Sequence, residues 1–195
     1  MSETTSPSVT STPATTASAD RERDGVLIRL VRPDEVDAVS ALAVGAYAAS
    51  YRLSDTYRSD IGAVADRVRQ HEVWVAVDAA SGALLGTVST PREGRVMSAV
   101  AHEGELDFRL LAVAAEARRR GIGEVLVEHV LGLARARGAR RVVLNTGPDM
   151  VGAHRLYERL GFERLPEREY TFTRPDGSSF LMMAYGRDAA ASAPA

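Results

Sequence analysis

One segment of the chain, residues 104–146, constrains the fold more than any other. It contains an alternating apolar strand (104–113), a helix with one apolar face (121–137) and a second, valine-containing strand (139–146). A helix of this length between two strands is the kind of crossover that parallel pairing requires, whereas a tight turn joins only antiparallel strands. The sequence therefore predicts a parallel strand pair bridged by a helix.

Hairpin-connected strands, together with helices, flank this central unit on both sides. The flanking elements are a strand at 26–31, helices at 33–51 and 59–70, strands at 72–78 and 82–91, a helix at 149–160 and strands at 162–173 and 178–186. The predicted fold class is α+β (α/β layered). We expect a mixed, mostly antiparallel sheet with a central parallel β-α-β unit and helices on both faces.

The composition of the 195-residue chain excludes several classes of protein. With 45% hydrophobic residues and a net charge of -2, it is typical of a soluble protein without a nucleic-acid-binding footprint. The absence of cysteine excludes disulfides, thiolate metal sites and a cysteine nucleophile. The histidines lack metal-ligand spacing, and no apolar run approaches the roughly 20 residues that span a bilayer. We expect a cytoplasmic protein that binds no metal, nucleic acid or membrane.

Both ends of the chain differ in composition from its middle. Residues 1–24 are mostly Ser, Thr, Ala and Pro before a charged end, and residues 187–195 are similarly poor in large apolar side chains. Such segments bury too little apolar surface to offset the entropy lost on ordering. We therefore predict disordered tails at 1–24 and 187–195 around a single folded domain at 25–186.

The junction at which the central helix begins is the strongest functional signal. Arg118, Arg119 and Arg120 precede Gly121, and Gly123 follows one residue later. The first amides of a helix lack intrahelical acceptors and carry the positive end of the helix dipole, and glycine lets an anion approach closely. We interpret the junction as a phosphate site, with a plain basic helix entry as the alternative. Neither the third glycine of a Rossmann fingerprint nor the Gly-Lys-Ser/Thr of a P-loop is present.

The same junction resembles the acyl-CoA-binding motif of the GNAT superfamily of N-acetyltransferases. That motif is Gln or Arg, two residues, Gly, one residue, then Gly or Ala, and Arg118, Gly121 and Gly123 satisfy it. The family's next block is a strand followed by a helix with a characteristic ending, which here is Tyr157, Glu158, Gly161 and Phe162. The predicted element order also agrees with the GNAT fold over residues 26–186.

The resemblance implies that acetyl-CoA is the acyl donor and implies a role for each matching residue. The backbone of residues 111–113 pairs with the pantetheine arm, and the amides of residues 118–123 cradle the pyrophosphate. The residues implied to bind the donor are Leu111, Ala112, Val113, Arg118, Arg119, Arg120, Gly121, Ile122 and Gly123. The family often has Asn where Met150 stands, so Asn145 is the candidate for the missing polar contact.

Two side chains are candidates for the chemistry. Tyr157 matches the residue that the family often places near the thiol as general acid, although its helical spacing also suits a core residue. Asp107 stands where many members carry an acidic residue that helps to deprotonate the amine. Its alternative role is an ion pair with Arg109, which shares a face of the predicted strand, or with another arginine on the sheet surface. Glu105 on the same face is the reserve base.

Two function classes follow from the sequence. The first is an N-acetyltransferase that transfers an acetyl group from acetyl-CoA to a primary amine by direct attack, since no residue pattern supports an acyl-enzyme. The second is a non-catalytic acyl-CoA-binding or sensing module. The acceptor is expected to be a small-molecule or protein amine, bound between residues 47–60 and the last hairpin. The resemblance also implies homodimers as a common assembly.

Overall fold

The computed structural model describes residues 21–23, 25–174 and 177–191, and side chains only within 25–174 and 177–191. The strands are β1 (Arg21–Arg23), β2 (Val26–Leu30), β3 (His71–Asp78), β4 (Leu84–Pro91), β5 (Glu105–Asp107), β6 (Arg109–Val113), β7 (Arg141–Thr146), β8 (Glu163–Arg164), β9 (Tyr170–Thr173) and β10 (Ser179–Asp188). The α-helices are α1 (Val36–Ala48), α2 (Asp55–Gly62), α3 (Val64–Gln70), α4 (Ile122–Ala136) and α5 (Val151–Arg159). None of the helices in these ranges is long and apolar enough to cross a membrane.

The strands form two sheets that meet at the central unit. The first sheet has the order β1-β2-β3-β4-β6, and the second has the order β5-β7-β10-β8, with β9 paired to β10. Every pair is antiparallel except β5 and β7, which run parallel on either side of the crossover helix α4. The predicted α+β class and its parallel β-α-β unit are therefore confirmed.

Strand β3 shows why helices cover both faces of the first sheet. Its odd-numbered side chains, Val73, Val75 and Val77, pack in the cluster beneath α1 and α3. Its even-numbered side chains, Trp74 and Ala76, pack in the larger core that α4 covers. Because successive residues of a strand point to opposite faces, a strand that is apolar throughout needs a helix on each side.

The predicted single strand at 104–113 divides into two strands that belong to different sheets. Strand β5 pairs with β7, and after Phe108 the chain leaves that sheet so that β6 pairs with β4. Leu110 has a positive φ of 56°, and the β4–β6 register shifts nearby. The predicted alternation is therefore wrong at Leu110, which packs with the apolar cluster under α1 and not in the core with Leu106 and Phe108. A local bulge of this kind leaves no trace in an alternating sequence.

Described strands extend beyond the predicted domain bounds of 25–186 at both ends. Residues Arg21–Arg23 pair with β2, and β10 continues to Asp188. Ala189 is 2% exposed, and its amide and carbonyl bond to Arg140 O and to the Arg135 guanidinium, each at 3.0 Å. Strand pairing thus reaches a few residues into each predicted tail, because backbone pairing does not require large side chains. The rest of the predicted tails, 1–20 and 192–195, lies outside the described residues.

Candidate active site

The start of α4 has the backbone geometry that the sequence predicted for an anion site. Gly121 is the residue before the helix and has a φ of +76°, and Arg119 also has a positive φ, 62°. The helix begins with the bond from the Val125 amide to Gly121 O at 3.0 Å, and no side chain caps it. The amides of residues 122–124 therefore have no intrahelical acceptor and are available to a phosphate.

The arginine side chains of this junction contact the protein rather than converge on one point. The Arg118 guanidinium donates to Ala46 O at 2.9 Å and to Ser50 Oγ at 3.0 Å, so it ties the end of α1 to the loop. Arg120 lies 3.4 Å from Asp78 and is half-exposed. The part of the junction left for a ligand is mainly its backbone and the exposed Arg119.

The two glycines of the motif serve different physical purposes. Gly121 needs the left-handed conformation, and a Cβ built there meets nothing within 4 Å. A Cβ on Gly123 would lie 3.1 Å from Leu156 Cδ2, because α4 passes close to α5. Gly121 therefore serves the shape of the loop, whereas Gly123 serves helix packing.

Gly121→Val is expected to weaken coenzyme A binding more than tenfold, or about 1.4 kcal/mol. The substituted residue leaves the left-handed region and turns the free amides away from the phosphate. Gly138→Val is the matched control, because Gly138 follows the other end of α4 with a φ of +68° and equally open surroundings. Both variants should lose similar stability, and only the first should lose affinity in calorimetry. Equal affinities for the two variants would contradict the assignment of the loop.

Strand β6 is placed to bind an extended ligand with its backbone. It is the edge strand of the first sheet, bonded to β4 on one side only. The second sheet diverges from it after Phe108, whose amide makes a bond to Val143 O at 3.3 Å. The edge of β6 that faces away from β4, residues 109–113, therefore has no strand partner among the described sheets. This is the strand whose residues 111–113 the resemblance assigned to the pantetheine arm.

Tyr157 combines a core ring with an uncommitted hydroxyl. Its ring is 5% exposed and packs edge-on against Phe108, with centroids 5.9 Å apart. No described residue forms a hydrogen bond with its hydroxyl. Burial, reinforced by Tyr51 and Tyr57, raises the pKa of Tyr157 above its ordinary value, so the phenol stays protonated. The two roles predicted for Tyr157, packing and proton donation, are compatible.

A group of tyrosines from α1, α2 and the connection between them lies near Tyr157. Tyr47 packs against Tyr51 with ring centroids 5.9 Å apart and against Tyr57 at 6.1 Å. Burial raises the pKa of all three. All three lie in the segment 47–60 that was predicted to line the acceptor site, where Tyr51 and Tyr57 were the candidates expected from the sequence and Tyr47 was not singled out.

Asp107 is more deeply buried than the sequence suggested. It is 0% exposed, and both carboxylate oxygens accept the Met97 amide at 3.0 Å. Burial raises the pKa of Asp107, and hydrogen bonds from the backbone of residues 97–98 offset part of that rise. Within the described chain no ion pair joins it to Arg109, so that alternative is wrong. Asp107 therefore anchors the loop before β5, a contact that no local pattern predicted.

The remaining candidates are engaged elsewhere. Glu105 forms an ion pair with Arg168 at 2.6 Å; burial pushes its pKa up, but that bond and the neighbouring charges outweigh it and leave the pKa lowered. Glu105 is thus poorly suited as a reserve base. Asn145 donates to the Tyr170 hydroxyl at 3.1 Å. Nowhere in the described ranges do three or more His, Asp or Glu side chains converge as metal ligands would.

Comparison with known proteins agrees with this geometry. The profile of the acetyltransferase (GNAT) family matches residues 38–162. N-acetyltransferase family 8 member 3 of Rattus norvegicus is 37% identical over 82 residues, which is 42% of this chain and 36% of that protein. Glucosamine 6-phosphate N-acetyltransferase 1 of Oryza sativa subsp. japonica is 31% identical over 108 residues, 55% of this chain and 62% of that protein. The matches thus span less than two-thirds of either relative.

A solved structure extends the likeness to the whole fold. Ribosomal-protein-S5-alanine acetyltransferase from Vibrio fischeri superimposes with a TM-score of 0.64 over 90% of this chain and 99% of its own, at 14% sequence identity. At this identity the comparison bears on the fold alone. The family match covers well over half of the chain and includes the β6–α4 junction and Tyr157. The chain therefore belongs to the acetyltransferase (GNAT) family.

Proposed function

We propose that this protein transfers the acetyl group of acetyl-CoA to a primary amine. The observation that carries the proposal is the placement of three features on β6 and on the elements next to it in the fold. They are the free amides at the start of α4, the unpaired edge of β6, and the Tyr157 hydroxyl near Tyr51 and Tyr57. In order, they suit the pyrophosphate, the pantetheine arm and the thioester of acetyl-CoA.

The proposed reaction is a direct attack of the neutral amine on the thioester carbonyl. A C–N bond forms, the resulting tetrahedral centre collapses, and the C–S bond breaks with the electron pair leaving on sulfur. Tyr157 donates a hydrogen bond to that sulfur, and its high pKa keeps it in the donating form. Asp107 is the proposed acceptor of the amine proton. Because Asp107 is enclosed, the proposal routes this proton through a water molecule.

The acceptor is proposed to be a small amine or the amine of a protein, and the protein is proposed to act in the cytoplasm. One relative is named for glucosamine 6-phosphate, and one structural neighbour for an alanine of a ribosomal protein. These names represent the two acceptor classes to be tested. A homodimer is a further proposal, which the resemblance to the family supports and which sedimentation would test.

The direct test is thiol release from acetyl-CoA in the presence of amines. We expect turnover with at least one class in a panel of amino acids, amino sugars, amino-sugar phosphates, polyamines and peptides with free amino termini. A reaction without amine corrects for hydrolysis, and mass spectrometry should show an added acetyl group on the amine. Tight acetyl-CoA binding without acetylation of any acceptor would instead support the non-catalytic binding module.

A further inference from the structure

Several arginines that lie partly inside this protein have a carboxylate partner. Arg29 bonds to Glu35 at 2.6 Å, Arg137 to Glu72 at 2.7 Å and Arg168 to Glu105 at 2.6 Å. A cation removed from water needs such compensation, because its desolvation is costly. Arg109, near the candidate active site, lacks both this kind of partner and the carbonyl acceptors that other half-buried arginines use.

Arg109 is half-buried, and its guanidinium has no ion pair or hydrogen bond to any described residue. It is the first residue of β6, directly before Leu110, whose side chain packs with Tyr47 and Tyr57. Its positive charge lowers the pKa of both tyrosines against the upward effect of burial, so the guanidinium lies close to them. Arg109 is therefore an uncompensated cation in the tyrosine-lined part of the site.

A second cation lies nearby and does not neutralise the first. The Arg67 guanidinium donates to the carbonyl oxygens of Asp60 and Ile61, and its Nε is buried without a partner. The charge of Arg109 acts on Arg67, as it does on His71, which identifies them as neighbours. The carbonyl groups that accept hydrogen bonds from Arg67 are uncharged. They therefore neutralise neither its positive charge nor that of Arg109.

The acids near these cations are committed or exposed. Asp107, which acts on His71, has both oxygens on the Met97 amide. Asp66 is ion-paired with Arg69, and Asp60 is exposed to solvent. None of these carboxylates bonds to Arg109 in the described part of the chain, so no described acid supplies its counter-charge.

The phosphates of the donor are unsuited to be that counter-charge. Arg109 and the α4 junction lie at opposite ends of β6, and four residue steps along a strand span about 13 Å. The Arg109 end is the one next to Phe108, on which the Tyr157 ring packs. If the donor runs along β6 as proposed above, Arg109 faces the acceptor side of the thioester.

We propose that the acceptor is an amine that also carries an anionic group, a carboxylate or a phosphate, and that Arg109 binds this group under the α1–α2 segment. The inference rests on the proposed acetyl transfer and specifies its substrate class. A guanidinium matches either anion with two parallel N–H···O bonds, which orients the amine as well as holding it. The tyrosine hydroxyls of Tyr47 and Tyr57 can donate further bonds.

The test compares acceptors that differ only in the anionic group. Amino acids are paired with their amides, and amino-alcohol phosphates with the free amino alcohols, so that the two arms separate carboxylate from phosphate. Wild type should prefer the anionic member of one pair at least tenfold in kcat/KM. Arg109→Gln should raise KM for that member at least tenfold and leave KM for its neutral partner and for acetyl-CoA nearly unchanged. Arg58→Gln, an exposed arginine on α2, is the control and should behave as wild type.

The remaining outcomes are also decisive. Arg109→Lys keeps the charge without the bidentate geometry and should fall between wild type and Arg109→Gln, which guards against a variant that fails to fold. Equal use of anionic and neutral acceptors, or an equal loss for both in Arg109→Gln, overturns the inference. Calorimetry of the anionic amines with the coenzyme A complex measures the site without turnover. Binding there that needs Arg109, with no acetylation, would refute the proposed function and retain the anion site.

Discussion

Tyr157→Phe is expected to lower kcat by about 10²–10⁴-fold while the affinity for coenzyme A changes little. The ring makes the packing contacts with Phe108, and phenylalanine retains them. The hydroxyl has no described partner to lose, so its removal should cost little stability. What disappears is the hydrogen-bond donor for the departing sulfur.

The pH dependence and a matched control sharpen this prediction. Because the pKa of Tyr157 lies above its ordinary value of about 10, the phenol is protonated at lower pH. The ratio of wild-type to variant kcat should therefore stay constant from about pH 6 to pH 9. Tyr185→Phe removes another buried hydroxyl, one that bonds to Glu158 at 3.2 Å, and should leave kcat nearly unchanged. Comparable kcat values for wild type and Tyr157→Phe would show that Tyr157 has only a packing role.

Asp107→Asn is expected to lower kcat/KM by about 10²-fold near neutral pH, with partial recovery in alkaline solution. The variant lacks the proposed proton acceptor, and the loss shrinks where more of the amine is already neutral. Burial raises the pKa of Asp107, so the acidic limb of the wild-type profile should lie above the ordinary carboxyl pKa of 3.8. The measurement is a pH–rate profile of both proteins on one accepted amine.

A separate readout distinguishes the base from the loop anchor. Asn keeps only one of the two oxygens that accept the Met97 amide, so the melting temperature should fall as well. Glu105→Gln is the control, because it disturbs a buried acid on the same strand that is already paired with Arg168. It should lose stability without a change in the shape of the profile. A loss in Asp107→Asn that is the same at every pH would assign Asp107 to anchoring alone.

Regular periodicity explains why most of the architecture could be predicted. Buried apolar residues recur at the helical period in α4 and form continuous runs in β3 and β7, so these elements could be predicted from the sequence. The C-terminal ends of α4 and α5 could also be predicted from the sequence, because a glycine follows each helix. Gly138 has a φ of +68° and Gly161 a φ of +75°. The loop at Arg118–Gly123 could be singled out as a candidate site for a different reason, because its residues are contiguous in the sequence.

Contacts between distant residues were beyond such reasoning. The bulge at Leu110, the Met97 amide on Asp107 and the placement of Tyr47 beside Arg109 join segments with no common period. From the sequence, Asp107 and Arg109 were expected to share a strand face, which suggested an ion pair. In the structure the Asp107 carboxylate is buried against the loop at Met97, and the Arg109 guanidinium has no described partner.

The sequence by itself thus determined the family motif, the β-α-β unit and the identity of Tyr157 as a candidate, because each depends on local spacing. Only the tertiary structure decided which strand edge lies open, which acid is enclosed and which arginine lacks a counter-charge. The physical reason is that burial and charge compensation depend on every group packed around a side chain, and those groups come from remote parts of the chain.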